Sequence, residues 1–197
     1  MILSNVSIHE ALDKGWLKIS PEPSPRKLSV QTQECPYQTS SVDLHLGSEV
    51  SWFKEGLAIN IDLRRGGFAK LFGPNSERRE ITDDQPFSLK PGLMVNCKTL
   101  EKIELPVIDS TDSPCLAARV EGRSSYARCG LLVHFTAPTI HAGFTGTITL
   151  ELINLGTIPI LLYPKAPICQ LIVEQVHGVP FRNDSQFQGQ TKASGEK

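Results

Sequence analysis

Two glycines bracket a short run of two hydroxyls and two arginines in Glu121-Gly-Arg-Ser-Ser-Tyr-Ala-Arg-Cys-Gly130. Glycine tolerates positive φ, so Gly122 can start a sharp turn and Gly130 can end a helical one. Between them there is room for about two helical turns, on which Ser124 and Arg128 would share a face. Ser124 and Ser125 would stand at the N-terminal end, where unpaired backbone N–H groups favour an anion. Two readings stay open from this segment alone. It is a cradle for phosphate, or it is a surface turn capped by serine with two solvated arginines.

A second segment carries acid–base chemistry. From Thr145 polar and apolar residues alternate until Leu150, and Glu151-Leu152-Ile153 follow, which puts Thr147, Thr149 and Glu151 on one strand face and Ile148, Leu150 and Leu152 on the other. If the apolar face is core, Glu151 points with two threonines into polar space. There it is either a general base tuned by its neighbours or a solvated glutamate on an outer face.

These residues need a scaffold, and its pattern is β. From Ser41 onward Val42, Leu44 and Leu46 alternate with Asp43 and His45. Further strands are predicted over Pro86–Leu89, Met94–Thr99, Leu116–Val120, Leu131–Phe135, Thr145–Ile153, Ile158–Leu162 and Ile168–Val176, with Pro91-Gly92, Asn154-Leu-Gly156 and Pro164-Lys-Ala-Pro167 as breaks. Many short strands at this spacing predict an all-β barrel or jelly roll. One short helix opens the chain, with Ser7-Ile-His-Glu10 as a capping box, Ser4 as a competing cap and Gly15 as a stop. The segment 66–85 reads as a long excursion or loop.

Composition narrows the function. The 197 residues make one large domain or two small ones, and the net charge of −1 gives no basic field for nucleic acid. No apolar run reaches the roughly 20 residues of a membrane span. The five cysteines are scattered and form no Cys-x-x-Cys, which fits a reduced, cytoplasmic setting and argues against a disulfide framework or a Cys-rich zinc site. The tail from Arg182 is polar. It is a disordered terminus, or a lid that orders over a ligand with Phe187, Gln190 and Thr191 as closing contacts.

The ordered set Gln38-Thr-Ser-Ser-Val-Asp-Leu-His-Leu-Gly47, Glu121 to Gly130, Thr136-Ala137, Gly143-Phe-Thr-Gly-Thr-Ile-Thr-Leu-Glu-Leu152, Ile168-Cys-Gln-Leu171 and Gln186-Phe-Gln-Gly-Gln190 resembles the dCTP deaminase family of the dCTP deaminase/dUTPase superfamily. The resemblance spans residues 1 to about 192 and is weakest between 50 and 85. It implies a mainly β subunit, a distorted jelly roll or β-barrel of the dUTPase-like, β-clip type with short helices. Residues 1–180 would form the domain and 181–197 a flexible lid. It implies homotrimers with active sites between subunits, and conversion of dCTP to dUTP and ammonia. Mg2+ would be bound through the triphosphate, with no zinc. The sequence lacks the His-x-Glu and Pro-Cys-x-x-Cys pattern of the zinc deaminases.

The resemblance also implies roles. Glu151 matches the catalytic glutamate, taking a proton from water and passing it to the leaving amine. Ser124 and Arg128 would orient the water and Glu151, while Arg123 and Ser125 would hold phosphate. Tyr126 and Ala127 belong to the same segment. The backbone of Ala137 would lie near the base and the water, with Thr149 and Leu150 flanking the cytosine. Gln170 would lie near the nucleotide, and Gln190 in the lid over the phosphates. Three positions depart from the family. His141 replaces an aspartate that touches the deoxyribose, Phe181 stands for a tyrosine, and Gln186 stands for a lysine. His141 bears on any pyrophosphatase step; a neutral imidazole could still accept a hydrogen bond from a 3′-hydroxyl. The expected activity is therefore dCTP deamination with dTTP as inhibitor. The alternatives are a dUTPase or bifunctional deaminase–diphosphatase, and a non-catalytic nucleotide-binding paralogue.

Overall fold

The computed structural model describes residues 1–28, 34–62, 64, 69–108, 113–181 and 189–193. Its elements, in order, are α1 (Asn5–Asp13), β1 (Lys18–Ser20), β2 (Val42–Phe53), α2 (Ala69–Asn75), β3 (Ser76–Glu80), β4 (Phe87–Leu89), β5 (Met94–Glu104), β6 (Leu116–Gly122), α3 (Ser124–Ala127), β7 (Leu131–Val133), β8 (Thr139–Ile140), β9 (Thr145–Asn154), β10 (Ile160–Leu162) and β11 (Pro167–Gln175).

The alternation of the sequence becomes a curled antiparallel sheet in the order β7-β9-β5-β2-β11-β6-β8, with β1 on β5 and β3 on β2. β4 and β10 pair separately. The curl brings the end of β6 back toward β7: a Cβ at Gly122 would lie 3.7 Å from Val133. Inside the curl, Val42, Leu44, Leu46, Val50, Val95, Ile103, Leu150, Leu152, Leu171 and Val173 are buried. Each such side chain contributes roughly 1.5–3 kcal/mol by leaving water. The mainly β fold expected from the sequence is the one observed.

Three local expectations are corrected. Ser4, not Ser7, caps α1, because the Ser4 hydroxyl accepts the Ser7 backbone N–H at 3.2 Å. The excursion at 66–85 carries α2 and β3, and β3 adds to β2 through five register pairs despite its charge. β5 also continues past Thr99 to Glu104. Glu101 in its middle is 1% exposed, yet satisfied, since it accepts from the His45 backbone N–H at 2.9 Å and from His45 Nδ1 at 2.6 Å. A charged residue can stay in a strand interior when its partners are built in.

Candidate active site

The alternation in β9 is complete. Ile148, Leu150 and Leu152 are buried, while Thr147, Thr149 and Glu151 face the other way and are partly exposed. Glu151 stands directly opposite Asn96 of β5. On its other side is His134, just beyond β7, whose backbone N–H donates to the Glu151 carbonyl at 2.9 Å. His134 has φ 64°, a left-handed conformation that costs roughly 1–2 kcal/mol for a residue with a Cβ. That turn sets the imidazole against the carboxylate, with Nδ1 2.7 Å from Glu151 Oε2. The approach is close but out of line for a hydrogen bond, so the contact is an ion pair. Nε2 lies 2.8 Å from the Ala137 carbonyl, which can only accept, so Nε2 carries a proton. Burial of His134 works against its charged form. The close carboxylate of Glu151 with its charge, and the Ala137 carbonyl, outweigh that burial and raise its pKa. Beside them, the Thr149 hydroxyl is buried with no hydrogen-bond partner among the described residues.

The other cluster forms where β6 ends. α3 is a single turn of four residues, shorter than the two turns expected, and Gly130 follows at φ 89°. Neither serine caps the turn. Arg123 is the N-cap residue and makes no side-chain capping bond. Ser124 and Ser125 instead line an open, polar cleft of about 190 Å³ with Gln38, Asp43, Arg123 and Gln170. Asp43 is its hub. It accepts from Arg123 Nη1 at 2.8 Å and from Gln170 Nε2 at 3.1 Å, and Gln38 Nε2 lies 3.5 Å away. The register makes this possible, since Gln170 of β11 stands opposite both Asp43 of β2 and Glu121 of β6. Tyr126 packs beneath the Arg123 guanidinium at 5.7 Å, and Ala127 and Arg128 are exposed.

The remaining expected residues fall elsewhere. Leu150 is fully buried, so only its main chain faces β5. His141 is exposed after β8 and Phe181 is 89% exposed. Gln186, with Phe187, lies outside the described residues. Gln190 is docked on β9. Its carbonyl accepts the Thr147 N–H at 3.1 Å, its side-chain amide donates to the Thr147 carbonyl at 2.8 Å, and Gly189 N–H donates to the Thr145 carbonyl at 2.8 Å. The strap continues across the sheet. Lys98 donates to the Thr191 carbonyl at 2.6 Å, and Ala193 N–H donates to Glu49 at 2.7 Å.

The geometry adds residues that the sequence did not single out: Asp43 as hub, His134 as partner of Glu151, and Asn96 across from it. Asp43 fits the polar side of an alternating strand, so the sequence carried no signal that it would be buried. Nothing local marked His134, because its role depends on a turn that only the finished sheet imposes. Among the described residues no group of three His, Cys, Asp or Glu side chains stands together as a metal site.

The curled antiparallel sheet has a solved counterpart. The crystal structure of 2'-deoxycytidine 5'-triphosphate deaminase from Agrobacterium tumefaciens matches at a TM-score of 0.60 and 20% identity, over 89% of this chain and 48% of that one. The chain spans about half of that structure's length, and the likeness is one of fold. The chain belongs to the dCTP deaminase-like family, whose model matches residues 2–176. It is 41% identical over 172 residues to a dCTP deaminase, dUMP-forming, of Dictyoglomus thermophilum, covering 87% of this chain and 78% of the relative. It is 37% identical over 185 residues to a dCTP deaminase of Thermomicrobium roseum, covering 92% and 85%.

Proposed function

We propose that this chain hydrolyses dCTP to dUTP and ammonia. The observation that carries the reading is Glu151, a carboxylate on the polar face of β9, fixed by His134 and by the strand register. Water attacks C4 of the cytosine. Glu151 takes one proton from that water and passes it to the departing amine, while the water's second proton ends on N3; the C4–N bond breaks, and a C4 carbonyl and ammonia remain. His134 and the Ala137 carbonyl hold the carboxylate's geometry. Thr149 supplies a buried hydroxyl for the base or the water. Arg123, Ser124, Ser125 and Gln170 line the cleft that receives the triphosphate. Its one lining carboxylate, Asp43, is committed to Arg123 and Gln170. Mg2+ would come with the triphosphate rather than on this carboxylate, and it would neutralise part of the phosphate charge. The chemistry assigned to Glu151 uses no zinc.

Glu151 is not among the residues that line the Arg123 cleft. Met94, Ile153 and Leu132 stand opposite one another across β5, β9 and β7, on the face that holds Glu151, and Met94 and Leu132 are 42% and 38% exposed. An apolar row of this kind supports a homotrimer in which a neighbour brings its Ser124 and Arg128 to Glu151. Gln190 and the tail close the site, dTTP competes for it, and His141 and Phe181 stand at its outer rim.

Incubation with dCTP and Mg2+, with dUTP and ammonia followed separately, tests the reading. Absence of turnover overturns it. Activity that survives a zinc-selective chelator once Mg2+ is restored supports zinc independence, and a dTTP series without effect removes the inhibitor. The second reading, release of dUMP and pyrophosphate, is favoured by the dUMP-forming relatives and opposed by His141; product analysis separates the two.

A further inference from the structure

A carboxylate is a poor neighbour for a triphosphate, yet Asp43 sits at the centre of the Arg123 cleft and is nearly buried. It sums with Arg123 to zero charge. It also joins three donors from separate parts of the chain: Arg123 after β6, Gln170 on β11 and Gln38 before β2. Among the described residues only Nη1 of Arg123 is spent, on Asp43, so the rest of the guanidinium fork stays available to a ligand. We propose that Asp43 is a positioning residue that makes the cleft select its ligand by geometry rather than by charge. This rests on the dCTP reading above. Asp43 gives up net attraction for anions and in return fixes the arginine fork and the Gln170 amide where a nucleoside triphosphate's oxygens must meet them. A cleft of this kind discriminates against unshaped polyanions, which a bare arginine would bind as readily.

The test separates orientation from charge. Asp43→Asn keeps the shape and one acceptor oxygen but removes the charge. The expected result is a kcat/KM for dCTP lowered roughly tenfold or more, mainly through KM. Magnesium tripolyphosphate, titrated by calorimetry, binds as tightly as to the unaltered protein or more tightly. If both ligands bind more tightly, Asp43 acts only as a charge and the proposal fails. If both weaken while the melting temperature falls, its role is structural and the proposal fails; no change in either is equally fatal. Arg123→Lys keeps the cation but not the fork, and it should show the same split even if Asp43→Asn does not fold. In the double variant Asp43→Asn/Arg123→Gln, dCTP binding should be within about twofold of Arg123→Gln alone, because the carboxylate works through that arginine; additive losses would overturn this. Should the unaltered protein fail to turn over dCTP, deamination falls, while the calorimetric titrations still report on Asp43.

Discussion

The Glu151 region and the Arg123 region are built on different principles. Around Glu151 the partners come from strand register: Asn96 across one side, His134 across the other, and Ala137 behind His134. Around Arg123 the partners come from one buried carboxylate, while Ser124, Ser125 and Arg128 remain exposed on a single turn. The partners that fix Glu151 all come from its own chain. The second region commits one arginine nitrogen and the Gln170 amide to Asp43 and leaves its serines exposed. A reaction centre needs fixed geometry before substrate arrives, whereas a phosphate site gains from donors that are still free.

The largest test of this contrast is Glu151→Gln. Deamination should fall by about a thousandfold, with the affinity for magnesium dCTP nearly kept, as read by ammonia release and by calorimetry. A parallel loss of affinity would mean that the two regions do not divide chemistry from binding. Mixing comes next. Glu151→Gln and Arg128→Ala proteins, each inactive, should regain activity in about a quarter of their sites when refolded together, if each site takes one region from each of two chains. No recovery would put both regions in one chain. Gly130→Ala bears on the turn alone. At φ 89° a Cβ would come within 2.4 Å of the Gly156 backbone, so denaturant unfolding should show a loss on the order of 3 kcal/mol. The smallest effect concerns His134. Its pKa is raised in the fold, so the stability it lends is whole below its unfolded value, about 6.5, and fades as pH rises through the folded one. His134→Asn should therefore cost about 1 kcal/mol at pH 5.5 and less at pH 9, since Glu151 is partly exposed. A gap that widens with pH would reverse the assignment.

Much of the Glu151 region was legible in the sequence, because a strand face follows from alternation alone. Thr147, Thr149 and Glu151 fell on the side that the pattern required. The turn at Ser124 was legible as a place but not as a length. Glycines mark where a helix can end, while the sheet on either side decides how much helix fits between β6 and β7. Asp43 was visible only as a polar-face residue of an alternating strand. Its partners Arg123 and Gln170 lie 80 and 127 residues away, and no local pattern carries that distance. The same holds for β3, whose charged sequence lacks strand alternation and whose pairing is supplied by β2.

The docked strap has a consequence beyond catalysis. Gly189 and Gln190 occupy the Thr145 carbonyl and both main-chain groups of Thr147, which would otherwise stand bare along a strand. Gly146, at φ 146°, leaves the room: a Cβ there would press within 2.8 Å of the Gln190 carbonyl. Bare strand groups are a template for any passing chain. Gly189 and Gln190 thus cover groups that could otherwise template aggregation, and a copy cut short before Gly189 would lose that cover.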